Sequence, residues 1–199
     1  MSRPFEHVVG REVGSSASPP EFSRDERRSL LEIAHLAIIS ELSGHTQKEQ
    51  PLSARLREPR GVFTTIYLHG ELRGCVGYAM PVVPLCRAVA ETARAAAFED
   101  SRFVPVTRAE APLLTISLSV LSPLFPIAPE QVEIGRHGLV VSLGYNRGLL
   151  LPQVPSEHGW DRETFLEQTC RKAGLAAGAW RQGAKFEGFT AEVFGDEDV

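Results

Sequence analysis

The segment Leu72-Arg73-Gly74-Cys75-Val76-Gly77 places a thiol between two glycines and two positions from an arginine. A thiolate is a strong nucleophile, and a neighbouring guanidinium favours it over the thiol. Strict strand alternation puts Arg73, Cys75 and Gly77 on one face, so Arg73 is expected to supply that charge. Glycines inside a strand weaken it and mark a bulge or a close approach of a ligand or another backbone. On the functional reading, Gly74 and Gly77 leave backbone amides open to a bound molecule, and Cys75 and Arg73 are the catalytic pair. On the bland reading, Cys75 is a small core residue and the glycines make room for a packed helix.

Other residues offer weaker chemistry. Asp100-Ser101-Arg102-Phe103 sets opposite charges two positions apart in a loop. Arg102 is a candidate to hold an anionic group bidentately, with Asp100 beside it, and a plain loop ion pair is the alternative. Gln153 follows Pro152 at an expected strand end, where its amide can donate to a ligand carbonyl. His137, in Gly135-Arg136-His137-Gly138, is a candidate ligand-binding residue or base, or a turn residue in water. Cys86 follows Pro84 at a helix start, and Cys170 falls at helical spacing with Phe165, Leu166 and Ala173. Both read as core cysteines. No HExxH or CxxC pair occurs, so no metal site is expected.

The elements that must position these residues are legible in stretches. Ser23-Arg24-Asp25-Glu26 is a capping box, and Leu30, Leu31, Ala34, Ile38 and Leu42 follow at helical spacing, predicting a helix over 24–43. VFTTIYL (62–68) and ELRGCVGYA (71–79) read as strands joined by a tight turn at His69-Gly70. Pro84 opens a helix whose apolar face, Leu85, Ala88, Val89, Thr92, Ala93 and Ala96, is mostly small and suits close packing on a sheet. In LLTISLSVL (113–121), Ile116, Leu118 and Val120 share one face, and Thr115, Ser117 and Ser119 the other.

SPLFPIAPEQ (122–131) carries three prolines and reads as a connector between lobes. GLVVSLG (138–144) and RGLLLPQV (147–154) form a second expected hairpin. Asp161 caps a helix that ends near Gly174, with Trp160 and Phe165 as a hydrophobic staple. FEGFTAEVF (186–194) reads as one closing strand. Residues 1–22 read as a flexible tail and 23–199 as the folded unit. The hairpins argue for an α+β fold, a mainly antiparallel sheet flanked by helices.

Composition narrows the function classes. Of 199 residues, 43% are hydrophobic and 23% charged, enough for a core without disulfides or a structural metal. A net charge of −4 argues against nucleic acid as the partner. No apolar run is long enough to span a membrane, and Met1–Gly14 lacks the apolar stretch of a secretory signal, so the expected compartment is the cytoplasm. Three cysteines at wide spacing are expected to be reduced and unpaired. There is no GxGxxG after a first strand and no GxxxxGK[ST], and no cofactor is expected.

Several segments together resemble one family. LRGCVG is similar to the LRGCIG signature of the AMMECR-domain family, and DSRFVPV to its charged loop. SLSVLSP, GRHGLVV, GLLLPQV, GWDRETFLEQTCRKAGL and FTAEVF follow in the family's order. The likeness runs from about Val62 to Phe194, with the helix at 24–43 also in place. Val76 stands for the usual isoleucine and Val104 for a frequent proline. The bacterial and archaeal branch is called AmmeMemoRadiSam system protein A, which implies Memo-like and radical S-adenosylmethionine proteins as partners. The resemblance implies two unequal lobes with the signature facing a cleft between them. Arg73, Gly74, Cys75 and Gly77 match the signature, and Asp100, Arg102 and Phe103 the loop. It implies no settled activity. Two readings stand: a cysteine-dependent enzyme acting on a small anionic or carbonyl-bearing molecule, or a non-catalytic binding or adaptor protein using the same cleft.

Overall fold

The computed structural model describes residues 20–44 and 53–199. Of the tail expected over 1–22, residues 1–19 lie outside this range, while Phe22 is buried in the main core. Helix α1 (Arg24–Ser43) begins on the expected capping box: Glu26 N–H donates to Ser23 Oγ, and Ser23 N–H donates to the Glu26 carboxylate. It ends at Gly44, whose φ of 70° is left-handed.

Strands β1 (Val62–Leu68) and β2 (Glu71–Tyr78) form the first hairpin. His69 and Gly70 both take positive φ, 53° and 83°, as a two-residue turn matched to strand twist requires. Helix α2 (Leu85–Phe98) follows, then β3 (Leu114–Leu121). The chain then passes through a two-residue strand β4 (Phe125–Pro126) into the hairpin β5 (Gly138–Leu143) and β6 (Asn146–Leu150). Helices α3 (Gln153–His158) and α4 (Arg162–Lys172) lead to β7 (Lys185–Phe189) and β8 (Ala191–Gly195).

The strands make two four-stranded sheets, ordered β2-β1-β3-β8 and β4-β7-β5-β6, and every pairing is antiparallel. The fold is therefore α+β, as the sequence predicts. On the first sheet, α2 packs over β1 and β2 while α1 packs on α2 and β3. The sheet face they share holds Val62, Ile66, Ile116, Leu118 and Val120, all buried. Thr64 also faces this core, where its hydroxyl meets that of Thr92 at 2.7 Å, so neither is left unsatisfied. Alternation places Phe63, Thr65, Tyr67, Thr115, Ser117 and Ser119 on the opposite face. Phe63 at one end of it packs with Leu121, Val140 and Phe189, which ties the second sheet to the first.

Three readings are corrected. Residues 186–194 are not one strand. The chain breaks at Thr190, with β7 in the second sheet and β8 in the first. Thr190 N–H donates to Ser122 Oγ and Ser122 N–H to the Thr190 carbonyl, so both passages between the sheets run side by side. The hairpin strand expected over 147–154 stops at Leu150. Pro152, with φ −59° and ψ −33°, opens a short helix instead, and Gln153 is that helix's first residue rather than a strand end. Third, β2 is not a regular strand. Ile66 pairs with Gly74 and Tyr67 with Leu72, which leaves Arg73 as an extra, bulged residue.

Candidate functional site

Cys75 lies on β2, the edge strand of the first sheet, directly opposite Thr65 of β1. It is partly exposed, and the Thr65 hydroxyl donates to its sulfur at 3.4 Å. The outer edge of β2 is closed here by side chains instead of by another strand. Cys75 N–H donates to Asp100 Oδ2 at 2.9 Å, and Arg102 Nη2 donates to the Cys75 carbonyl at 3.5 Å. The same guanidinium grips Asp100 with Nε at 2.9 Å and Nη2 at 2.6 Å. The pair thus serves both backbone groups of one edge residue.

The Asp100 side chain is 7% exposed and that of Arg102 54%, so the clasp turns its cation outward. Arg102 holds the Asp100 carboxyl far below the usual carboxylate range, aided by the N–H groups of Cys75 and Arg102 and opposed by burial. The stabilisation from this depressed pKa is fully present above the ordinary aspartate value, about 3.9, and is lost as pH falls through the folded-state value. Asp100→Asn turns an acceptor into a group that also donates, facing a backbone donor. It is expected to lower stability by about 1–3 kcal/mol at pH 7. In thermal unfolding, the gap from wild type should hold steady from pH 5 to 8 and shrink below about pH 4. No gap at neutral pH, or one that widens in acid, would contradict this account of the clasp.

Arg73 does not supply charge to the thiol in the way strict alternation predicts. The bulge takes it out of that alternation, and its guanidinium is committed to the loop that follows α2. Nε and Nη2 donate to the Glu110 carboxylate at 3.2 and 3.4 Å, Nη1 to the Val104 carbonyl at 2.7 Å, and Nη2 to the Pro105 carbonyl at 3.3 Å. Only 9% of the residue is exposed. Glu110 also accepts from the Thr107 N–H and hydroxyl, which with Arg73 lower its carboxyl to about 2. Arg73 therefore straps the loop to the sheet.

The two glycines do not expose amides through an empty side-chain position. A Cβ on Gly74 would collide with the Ala96 carbonyl of α2, and one on Gly77 with the Phe63 ring and the Val62 carbonyl. Gly74 makes room for a packed helix, as the bland reading has it, whereas the space at Gly77 is taken by β1.

Two candidates lie elsewhere. Gln153 is exposed at the start of α3. His137, just before β5, is 7% exposed. Its Nδ1 accepts the Glu133 N–H at 3.1 Å, and its ring sits edge-on to Phe125. Burial lowers its pKa, so the neutral imidazole buttresses a turn. The structure thus brings Cys75, Asp100 and Arg102 together, with Arg73, Gly74 and Gly77 supporting them.

Thr65, Tyr67 and Glu110 are the neighbours that motif reading passes over. The signal for the first two was present, because alternation in VFTTIYL turns Thr65 and Tyr67 to the face that carries Cys75. Burial first, and then Cys75, raise the Tyr67 pKa, so the phenol keeps its proton at neutral pH. The three cysteines are free, and Cys170 is fully buried. Among the described residues, no group of three metal-ligating side chains occurs and no helix is long and apolar enough to cross a membrane. Two surface hollows, one between Ile39 and Pro112 and one between Pro126 and Glu187, do not include Cys75.

The chain is similar to several known proteins. The family model described as AMMECR1 matches residues 31–194. A protein of Methanothermobacter thermautotrophicus is 46% identical over 162 residues, covering 77% of this chain and 84% of that protein. One from Methanopyrus kandleri is 41% identical over 186 residues, covering 87% and 90%. The crystal structure of an uncharacterised protein from Pyrococcus horikoshii is similar with a TM-score of 0.68 at 39% identity, covering 87% of this chain and 93% of that one.

Proposed function

The chain belongs to the AMMECR1 family, and from that premise we propose that it is a cysteine-dependent enzyme acting on a small anionic or carbonyl-bearing molecule. One observation carries the reading. Arg73, Gly74, Gly77 and Asp100 all have structural work, whereas the Cys75 sulfur, partly exposed and oriented by the Thr65 hydroxyl, has none. In this reading Cys75 is the nucleophile, and Arg102, the outward cation of the clasp, steers the anion. The resemblance adds Memo-like and radical S-adenosylmethionine proteins as working partners, in the cytoplasm where free thiols persist.

A non-catalytic adaptor is the second reading, favoured because the motif's other residues are explained by the fold alone. Iodoacetamide labelling followed by peptide mass spectrometry separates the two. The enzyme reading expects Cys75 to label at least about tenfold faster than Cys86 and Cys170 at neutral pH, as an accessible, activated thiol does. Labelling of Cys75 no faster than that of Cys170 would leave the adaptor.

A further inference from the structure

We infer, resting on the enzyme reading above, that Thr65 is the positioning residue of the site: its hydroxyl holds the Cys75 sulfur and favours the thiolate over the thiol. Arg73 is committed to Glu110 and two loop carbonyls. The polar side chain set on the sulfur itself, at 3.4 Å, is the Thr65 hydroxyl.

The first sheet fixes this placement. Strand β1 lies between β2 and β3, so Thr65 is paired on both sides, with Cys75 across one and Ser117 across the other. Its chain neighbours Thr64 and Ile66 are fully buried, which anchors the backbone beneath it. A β-branched side chain is stiff at χ1, so the hydroxyl keeps its direction. The bond to Cys75 is the one that the Thr65 hydroxyl makes among the described residues. Cys75 is held from its other side as well, where Asp100 and Arg102 take its N–H and carbonyl at the outer edge of β2. Backbone and sulfur are gripped separately.

A thiol can donate to a hydroxyl or accept from it, whereas a thiolate only accepts. The bond to the ionised form is the stronger one, so the contact favours the nucleophilic state. For a partly exposed sulfur, which water also reaches, the low end of the range for charged hydrogen bonds applies, a gain of roughly tenfold in thiolate. The same bond weakens the sulfur as a nucleophile, by roughly threefold for a tenfold change in ionisation. The two effects oppose each other, and pH separates them. Where the thiol is mostly protonated, the gain in thiolate wins. Where it is fully ionised, only the weaker nucleophilicity remains.

The titratable and charged groups set against Cys75, among the described residues, are Tyr67 of β1 and Asp100 and Arg102 of the loop after α2. All three are retained in a Thr65 variant. The difference between two pH profiles therefore reads the hydroxyl.

Iodoacetamide labelling of Cys75 in the full-length protein, read by peptide mass spectrometry from about pH 6 to 10.5, tests this in four variants. Thr65→Val keeps the branched shape without the hydroxyl, and Thr65→Ala loses the hydroxyl without a new methyl group to place. At pH 7 both are expected to label Cys75 about threefold more slowly than wild type does. Above about pH 10, where an ordinary thiol is ionised, they should label as fast or faster, so the profiles cross. Thr65→Ser restores the donor and should stay within about 1.5-fold of wild type throughout. Ser117→Ala removes the hydroxyl on the far side of Thr65 and should do the same, because Ser117 makes no bond to Thr65. Hydroxyl-free variants whose profiles run parallel to wild type overturn the role of Thr65 and leave the enzyme reading standing. So does a Thr65→Ser that behaves like Thr65→Val, or a Ser117→Ala that is slowed as much. A wild-type Cys75 that labels no faster than Cys170 overturns the enzyme reading and this inference together.

Discussion

Gly74→Ala is expected to destabilise the protein by about 3 kcal/mol, at the upper end for overpacking a filled interior. The new methyl group would meet the Ala96 carbonyl, which is main chain inside α2 and cannot swing aside as a side-chain tip would. Relief requires α2 to move away from β2. That helix is held by Leu85, Ala88, Val89, Ala93 and Ala96, all essentially inaccessible to water. For a chain of this length each kcal/mol corresponds to roughly 2–4 °C, so thermal unfolding should drop by about 6–12 °C. A Gly74→Ala variant with unchanged thermal stability would mean that the helix can yield here and that the glycine is present for another reason, such as ligand approach.

Removing the Arg73 side chain should have the next largest effect. Arg73→Ala deletes the donors to two backbone carbonyls and leaves Glu110 without its cation, at an expected cost of about 2–3 kcal/mol. Arg73→Lys should recover less than half of this, because an ammonium cannot reproduce a planar fork that reaches three acceptors. The Glu110 contribution has its own pH signature. Its carboxyl is lowered to about 2, so the contribution is whole above the ordinary glutamate value near 4.3 and fades as pH falls towards 2. Denaturant unfolding at pH 7 and pH 3 tests both parts. If Arg73→Ala leaves stability unchanged but slows alkylation of Cys75, the guanidinium acts on the thiol after all and the strap is the wrong account.

Local patterns made much of the architecture legible. The capping box, the His69-Gly70 turn and the alternation in β1 and β3 each depend on residues within a few positions, and each forms as expected. The passages that misled depend on distant partners. Residues 186–194 alternate like one strand, but Phe189 is drawn into the cluster with Leu121 and Val140, and the chain changes sheets at Thr190. Pro152 fits a strand end or a helix start equally well, and packing decides.

At the site, Cys75, Asp100 and Arg102 could be named in advance, but how they meet could not. One bulged residue redirected Arg73 from the thiol to Glu110, and a bulge leaves no composition signal beyond a nearby glycine. The glycines were ambiguous for the same reason, because the group that fills their space belongs to a helix about twenty residues away. Alternation in β1 turns Tyr67 to the face of Cys75, but which residues of β2 it meets depends on the strand register, which the bulge shifts between Ile66 and Tyr67.

The most direct test is the alkylation rate of Cys75 measured from pH 5 to 9, set beside thermal unfolding of Cys75→Ser. The account predicts that Cys75 labels well ahead of Cys170, which is fully buried and whose thiol pKa burial raises. It predicts that Cys75→Ser costs less than about 1 kcal/mol, since a partly exposed hydroxyl keeps water or Thr65 as a partner. A Cys75 that resists alkylation across the whole range, with a loss of about 1–3 kcal/mol or more in Cys75→Ser, would contradict it and make Cys75 a core residue of β2.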